Sequence, residues 1–188
     1  KKCNAKVIGI TGSNGKTTTK ELIYSVLSSN FKTICTPGNF NNHIGLPLSL
    51  FEIRHDTEFA IIEMGANNFG EIAFLTSLCE PDYGYITNFG KAHLEGFIDI
   101  NGVIKAKTEL YEWIIKNDKT LLINGEDKNQ KKFDNHKHIM FGCGENFQFN
   151  FREKNNDFVN VLHDNYLFET KLYGTYNYSN DCAAKALG

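Results

Sequence analysis

The sequence predicts an α/β fold, a mostly parallel sheet flanked by helices, with a small antiparallel strand meander appended near the C-terminal end. Three observations predict it. Short apolar runs at residues 7–10, 59–62, 83–87 and 120–124 alternate with segments of helical periodicity, the pattern of strands buried on both faces and joined by crossover helices. The first run passes directly into Thr11-Gly12-Ser13-Asn14-Gly15-Lys16-Thr17-Thr18 and then a helix, the context of a phosphate-binding loop. From Asn146 onward the period becomes two: Phe147, Phe149 and Phe151 alternate with Gln148, Asn150 and Arg152, as in a half-exposed strand.

Composition bounds the possibilities. At 188 residues the chain is one ordinary domain, long enough to bury a sizeable core. A net charge of −2 provides no broad basic field, so neither nucleic acid nor an anionic membrane is expected as a main partner. No apolar run approaches membrane-spanning length, and Lys1-Lys2-Cys3-Asn4 lacks the apolar core of a signal peptide. The five cysteines (Cys3, Cys35, Cys79, Cys143, Cys182) are scattered and form no CxxC pair. A reducing cytoplasm is therefore expected, without a disulfide framework or zinc ribbon. The chain starts almost at its first strand and ends in an Ala-rich helix, so residues 1–188 are expected to be one domain of a larger protein.

Residues 5–10 form the first strand, too apolar for a one-sided sheet. In the loop that follows, glycine-freed amides and the unpaired N–H groups of the next helical turn converge on one spot that favours an anion. Lys16 adds a point charge for the β- and γ-phosphates, and Thr17 a hydroxyl for Mg²⁺. The loop departs from the usual pattern, with Ile10 where an early glycine is expected. The competing reading is a glycine-rich turn with a solvated lysine. The helix at residues 16–28 presents Leu22, Ile23, Val26 and Leu27 as an apolar stripe, and residues 32–36 form a second short strand. Asn39, Asn41 and Asn42, in the polar stretch from Pro37 to His43, read by residue type as turn-formers and helix caps.

The strand at residues 59–62 ends in Glu63. A carboxylate at the carboxyl end of a parallel strand either holds Mg²⁺ on a nucleotide or caps the next helix, whose apolar positions are Ile72, Ala73, Leu75 and Leu78. Spacing alone leaves both open. The strand at residues 83–87 leads into a loop carrying His93, either a metal ligand or a surface histidine. In the helix at residues 101–115, Lys107 falls in the middle of the face formed by Val103, Leu110 and Ile114, whereas Lys105 points away. A lysine there snorkels, pairs, or loses its charge and becomes chemically usable. Residues 120–124 form a fifth strand. Residues 128–132 read as a solvated helix face, and His136 and His138 carry no assigned chemistry. Runs at 158–162 and 166–173 complete the meander, with turns at Asn155-Asn156 and Asp164-Asn165. Asn180 shares the small-residue face of the last helix with Ala183 and Ala184.

Taken together, these stretches resemble the Mur ligases, ATP-dependent enzymes that build the peptide of bacterial cell-wall precursors. The family's loop, like residues 11–17, also lacks the early glycine, which accounts for Ile10. Gly38-Asn39-Phe40-Asn41-Asn42-His43-Ile44-Gly45-Leu46-Pro47-Leu48, the stretch from Glu63-Met64-Gly65 to Ile72, and the stretch from Thr87-Asn88-Phe89-Gly90-Lys91 to Phe97 look like one branch. That branch adds D-alanyl-D-alanine to a UDP-N-acetylmuramoyl-tripeptide in the cytoplasm.

The resemblance implies that Gly12, Ser13, Asn14, Gly15, Lys16, Thr17 and Thr18 bind ATP, with Asn180 contacting adenine. It implies Thr17 and Glu63 as ligands of one Mg²⁺, and His93 and a carbamylated Lys107 as ligands of a second. Lys16, Glu63, His93 and Lys107 are then the catalytic set. Tyr176 stands where many relatives have His. The chain would be the central ATPase domain, lacking an N-terminal UDP-sugar domain and a C-terminal domain, and would not ligate alone. Two other readings are a sister ligase (another Mur enzyme, or one like folylpolyglutamate synthase) and a nucleotide-binding module without chemistry.

Overall fold

The computed structural model of the 188-residue chain describes residues 4–90, 99–143, 147–154, 158–174 and 176–188. The first half alternates β1 (Lys6–Thr11), α1 (Lys16–Leu27), β2 (Thr33–Cys35), α2 (Gly45–Phe51), β3 (Phe59–Glu63), α3 (Glu71–Cys79) and β4 (Tyr83–Ile86). Then come α4 (Ile100–Lys116), β5 (Thr120–Asn124), β6 (His138–Gly142), β7 (Phe149–Lys154), β8 (Asn160–His163), β9 (Tyr166–Glu169) and α5 (Tyr176–Leu187). The sheet order is β2-β3-β1-β4-β5-β6-β7-β8-β9. Pairing is parallel from β2 through β7 and antiparallel across β7-β8-β9. The predicted α/β class and the C-terminal meander are both present. No described helix is long and apolar enough to cross a membrane.

Burial on both faces follows from strand alternation. Val7, Ala60, Ile62, Leu121 and Ile123 point to the layer containing α3 and α4. Ile8, Ile10, Ile61, Tyr85 and Leu122 point to the layer formed by α1 and α5. Each fully buried aliphatic side chain stabilises the fold by about 1.5–3 kcal/mol. The helix α4 lies so close to β4 that a Cβ on Gly84 would come within 2.7 Å of Ile114 Cγ1. Asp99 starts α4, its side chain accepting from Gly102 N at 2.8 Å, the usual service of an aspartate N-cap.

Three local expectations change. Residues 128–132 are solvated at Lys128, Lys131 and Lys132 as expected, but they form no regular helix face: only Lys131–Phe133 form a single 3₁₀ turn, and Gln130 is fully buried. Gln130 accepts from Asn124 N at 2.9 Å and donates to Ile86 O at 2.8 Å, so its polar side chain bridges two strands. The segment around His138 is a sixth parallel strand, which two histidines beside a short apolar pair had concealed. The phenylalanine run is a hinge between pairings, with Phe149 in register with Phe141 of β6 and Phe151 opposite His163 of β8.

Candidate nucleotide and metal site

In the sheet, β1 lies between β3 and β4. Connections leave β1 towards one edge and return towards the other, so a crevice opens at its carboxyl end. The loop from Gly12 to Gly15 fills that position. Gly12 has φ +140° and Gly15, the N-cap of α1, has φ +78°, backbone that a side chain adopts only under strain. Neighbours also exclude a Cβ, which would overlap Thr87 Oγ1 at Gly12 and lie 2.8 Å from Asn180 Oδ1 at Gly15. The loop is tied to the end of β4 by Ser13 N donating to Asn88 O (3.1 Å) and Asn14 N donating to Asn88 Oδ1 (3.1 Å). Thr87 Oγ1 donates to Asn14 O at 2.6 Å and Ser13 Oγ to Gly90 O at 2.9 Å. Lys16 is half-buried rather than solvated, its Nζ donating to Gly12 O (3.0 Å) and Ser13 O (3.3 Å). Burial lowers its pKa, against a smaller upward pull from Glu63.

Glu63 is 1% exposed and faces the loop. Its Oε1 accepts from Thr17 Oγ1 at 3.3 Å and from Asn41 Nδ2 at 2.9 Å. Its Oε2 has no hydrogen-bond partner among the described residues. The helix-cap alternative does not hold, because Glu109 is the carboxylate at the N-terminus of α3 and Glu71 serves the turn before it. Glu71 accepts from Asn67 N (2.7 Å) and Asn68 N (3.3 Å), and Glu109 from Gly70 N (2.7 Å) and Ala73 N (2.9 Å). A buried carboxylate oxygen without a donor, beside a hydroxyl, suits a hard cation. No group of three His, Cys, Asp or Glu side chains converges among the described residues. The carboxylate of Glu63 and the hydroxyl of Thr17 are hard oxygen donors that fit Mg²⁺, which keeps water and phosphate oxygens as its other ligands.

Beside Lys16 opens a cavity of about 340 Å³. Lys107 lines it from α4, Gly65, Ala66 and Asn67 from the turn after β3, Glu71 from the start of α3, and Asn39, Asn41, Asn42 and His43 from the opposite side. Lys107 is 2% exposed, so it does not snorkel to bulk solvent. Its pKa is lowered to about 8, by burial first and by the charge of Lys16 second, against opposing pulls from Glu109 and Glu71. Lys105 is exposed, its Nζ 5.8 Å from the centroid of the Phe69 ring.

The structure therefore brings Lys16, Thr17, Glu63 and Lys107 to one crevice. His93 lies outside the described residues. Asn180 is buried, accepting from Thr19 Oγ1 at 3.1 Å and donating to Asn177 Oδ1 at 3.0 Å, so it buttresses the loop beneath Gly15. Asn42 is the cap its residue type implied, Oδ1 accepting from Ile44 N (3.0 Å) and Gly45 N (2.9 Å). Asn41 is more than a turn-former, because it holds Glu63. Lys20, fully buried behind Glu63, is the other residue that sequence reading passed over. Its signal was available, since it shares the face of Ile23 and Leu27 much as Lys107 shares that of Leu110 and Ile114.

Comparison with known proteins agrees with this geometry. The family profile described as the Mur ligase middle domain matches residues 10–188. The chain is 36% identical over 198 aligned residues to the UDP-N-acetylmuramoyl-tripeptide–D-alanyl-D-alanine ligase of Haemophilus influenzae, covering 99% of this chain and 43% of the relative. It superposes on crystal structure I of MurF from Acinetobacter baumannii with a TM-score of 0.87 at 32% identity, covering 97% of this chain and 42% of that one. For the MurF ligase of Thermotoga maritima in complex with ADP the TM-score is 0.81 at 29% identity, covering 97% and 44%. The chain thus spans about two fifths of the length of these relatives. By motif, fold and profile, the chain belongs to the Mur ligase family, as its middle domain.

Proposed function

We propose that residues 1–188 are the central ATP-binding domain of a bacterial cytoplasmic ligase that adds D-alanyl-D-alanine to UDP-N-acetylmuramoyl-tripeptide. In this reading the N-terminal UDP-sugar domain and the C-terminal domain lie in the rest of the protein. The observation that carries it is the Thr17–Glu63 contact of 3.3 Å beside Lys16, at the crevice where β1 meets its two neighbours. The names of the relatives supply the substrates.

In the proposed reaction a carboxylate oxygen of the tripeptide attacks the γ-phosphorus of ATP, and ADP leaves with the electrons of the broken P–O bond. The amine of D-alanyl-D-alanine then attacks the acyl phosphate, forming the amide, while inorganic phosphate leaves and the ammonium proton is lost. Lys16 and the amides of residues 12–18 hold the phosphates and complement their charge. Thr17 and Glu63 are the residues that would hold Mg²⁺, which when bound neutralises charge on the transferring phosphoryl group. Lys107, with its pKa lowered to about 8, has a neutral fraction far above that of an ordinary lysine, and in that form its nitrogen can bond to CO₂ and lose a proton. The carbamate so formed is an anion suited to a second cation, with His93 as its expected companion.

The test is a substrate panel on the full-length protein. Sustained turnover to ADP should require the UDP-linked tripeptide and D-alanyl-D-alanine together, whereas the isolated domain should bind Mg-ATP without ligating. Equal turnover with a single amino acid as acceptor would transfer the assignment to a sister ligase.

A further inference from the structure

Lys20 is one turn beyond Lys16 on α1 and has no exposed surface. A buried ammonium persists only where its donors are used and its charge is met, and here both conditions hold. Its Nζ donates to Thr36 O at 2.6 Å and Gly38 O at 3.2 Å. It lies 3.0 Å from Glu21 Oε1 and 4.0 Å from Glu63 Oε2, the carboxylate oxygen that lacks a hydrogen bond. The two carbonyls flank Pro37, at the entrance to the segment that brings Asn39, Asn41 and His43 to the cavity. Thr36 is fastened a second time, its Oγ1 accepting from Glu63 N at 2.9 Å. One cation thus joins three parts of the site: the helix that continues the phosphate loop, the asparagine segment, and the carboxylate.

We propose that Lys20 is a positioning residue, which fixes residues 37–43 and the Glu63 carboxylate relative to the phosphate loop. The nucleotide side of the cavity and the side lined by the asparagines then keep one geometry. This rests on the proposed ligase reading for its kinetic consequence, though not for its structural one. A lysine that merely completed the core would stabilise every part of the domain alike. A positioning lysine instead controls one segment and one substrate.

The experiment uses Lys20→Met and the milder Lys20→Gln in the full-length protein. It reads hydrogen exchange of residues 38–43, the KM for the UDP-linked acceptor, and nucleotide affinity with Mg²⁺ chelated. The expected result is at least tenfold faster exchange in residues 38–43 and an acceptor KM raised about tenfold. Metal-free nucleotide affinity stays within about twofold. Unchanged exchange and KM would overturn the proposal, as would a uniform loss of protection across α1, the segment and the sheet. If Lys20→Met does not fold, the same readings on Lys20→Gln decide. Exchange does not depend on which acceptor is used, so a wild-type protein inactive on the tripeptide would defeat the function while leaving the role of Lys20 to be judged.

Discussion

Replacing Lys107 by methionine separates stability from activity, because the two should move in opposite directions. The lysine is 2% exposed and its pKa is lowered from 10.5 to about 8. Below pH 8 the amine is protonated in both the folded and unfolded chain, and the cost of burying the charge is fully present. Between pH 8 and 10.5 only the unfolded chain keeps the proton, so stability rises with pH and the cost disappears above that window. At about 1.4 kcal/mol per pKa unit the cost has an upper bound of roughly 3.5 kcal/mol. Lys107→Met fills similar volume without the charge, and should be about 1–3 kcal/mol more stable than wild type at pH 7. Each kcal/mol raises the melting temperature of a domain this size by about 2–4 °C. The advantage should vanish near pH 10.5, and ligation by the full-length variant should be lost at every pH. Urea unfolding at pH 7 and pH 10.5 measures the first effect, and ADP release measures the second. The same shift makes the amine about a quarter neutral at pH 7.5, against about 0.1% for an ordinary lysine. Wild type supplied with ¹³C-bicarbonate should therefore show a carbamate resonance that the variant lacks. A stability difference independent of pH, or undiminished ligation by Lys107→Met, would refute the reasoning.

Two further substitutions test the crevice itself. Glu63→Gln keeps an oxygen to accept from Thr17 and Asn41 but removes the anion, so the Mg²⁺-dependent part of nucleotide binding should fall on the order of 100-fold. Binding with the metal chelated should be unaffected, and calorimetric titration in both conditions distinguishes this from general damage. Gly12→Ala places a Cβ against Thr87 Oγ1 at φ +140°, and should lower stability by roughly 1–3 kcal/mol through backbone strain alone. Displacing Thr87 from Asn14 also distorts the phosphate loop, so fluorescent-nucleotide binding should be lost even where the chain remains folded.

Local pattern made much of this protein legible. The apolar runs identified β1, β3, β4 and β5 because a strand buried on both faces needs no partner to be recognised, whereas β2 is a half-buried edge strand. The glycine-rich loop between β1 and α1 was readable because it is contiguous, from Gly12 to Thr18. Lys107 stood out because a charge interrupted a helical stripe, and Lys20 offered the same signal more faintly on α1. The sixth parallel strand was hidden because its apolar part, Ile139 to Phe141, is short and is preceded by two histidines. The run rich in lysine looks solvated and its lysines are, but its one glutamine is buried to bridge β4 and β5, a contact no local pattern shows.

What the sequence by itself determined was the inventory: an α/β chain, a glycine-rich loop opening a helix, a carboxylate at a strand end and a lysine in an apolar stripe. Only the tertiary structure decided what each of them faces. Thr17 and Glu63 are 46 positions apart, Lys20 and Glu63 are 43, and Asn41 reaches the same carboxylate from a third segment. Strand order brings them together, because β1 pairs with β3 on one side and β4 on the other. That order depends on which faces and edges the whole sheet must bury, a property no local window contains.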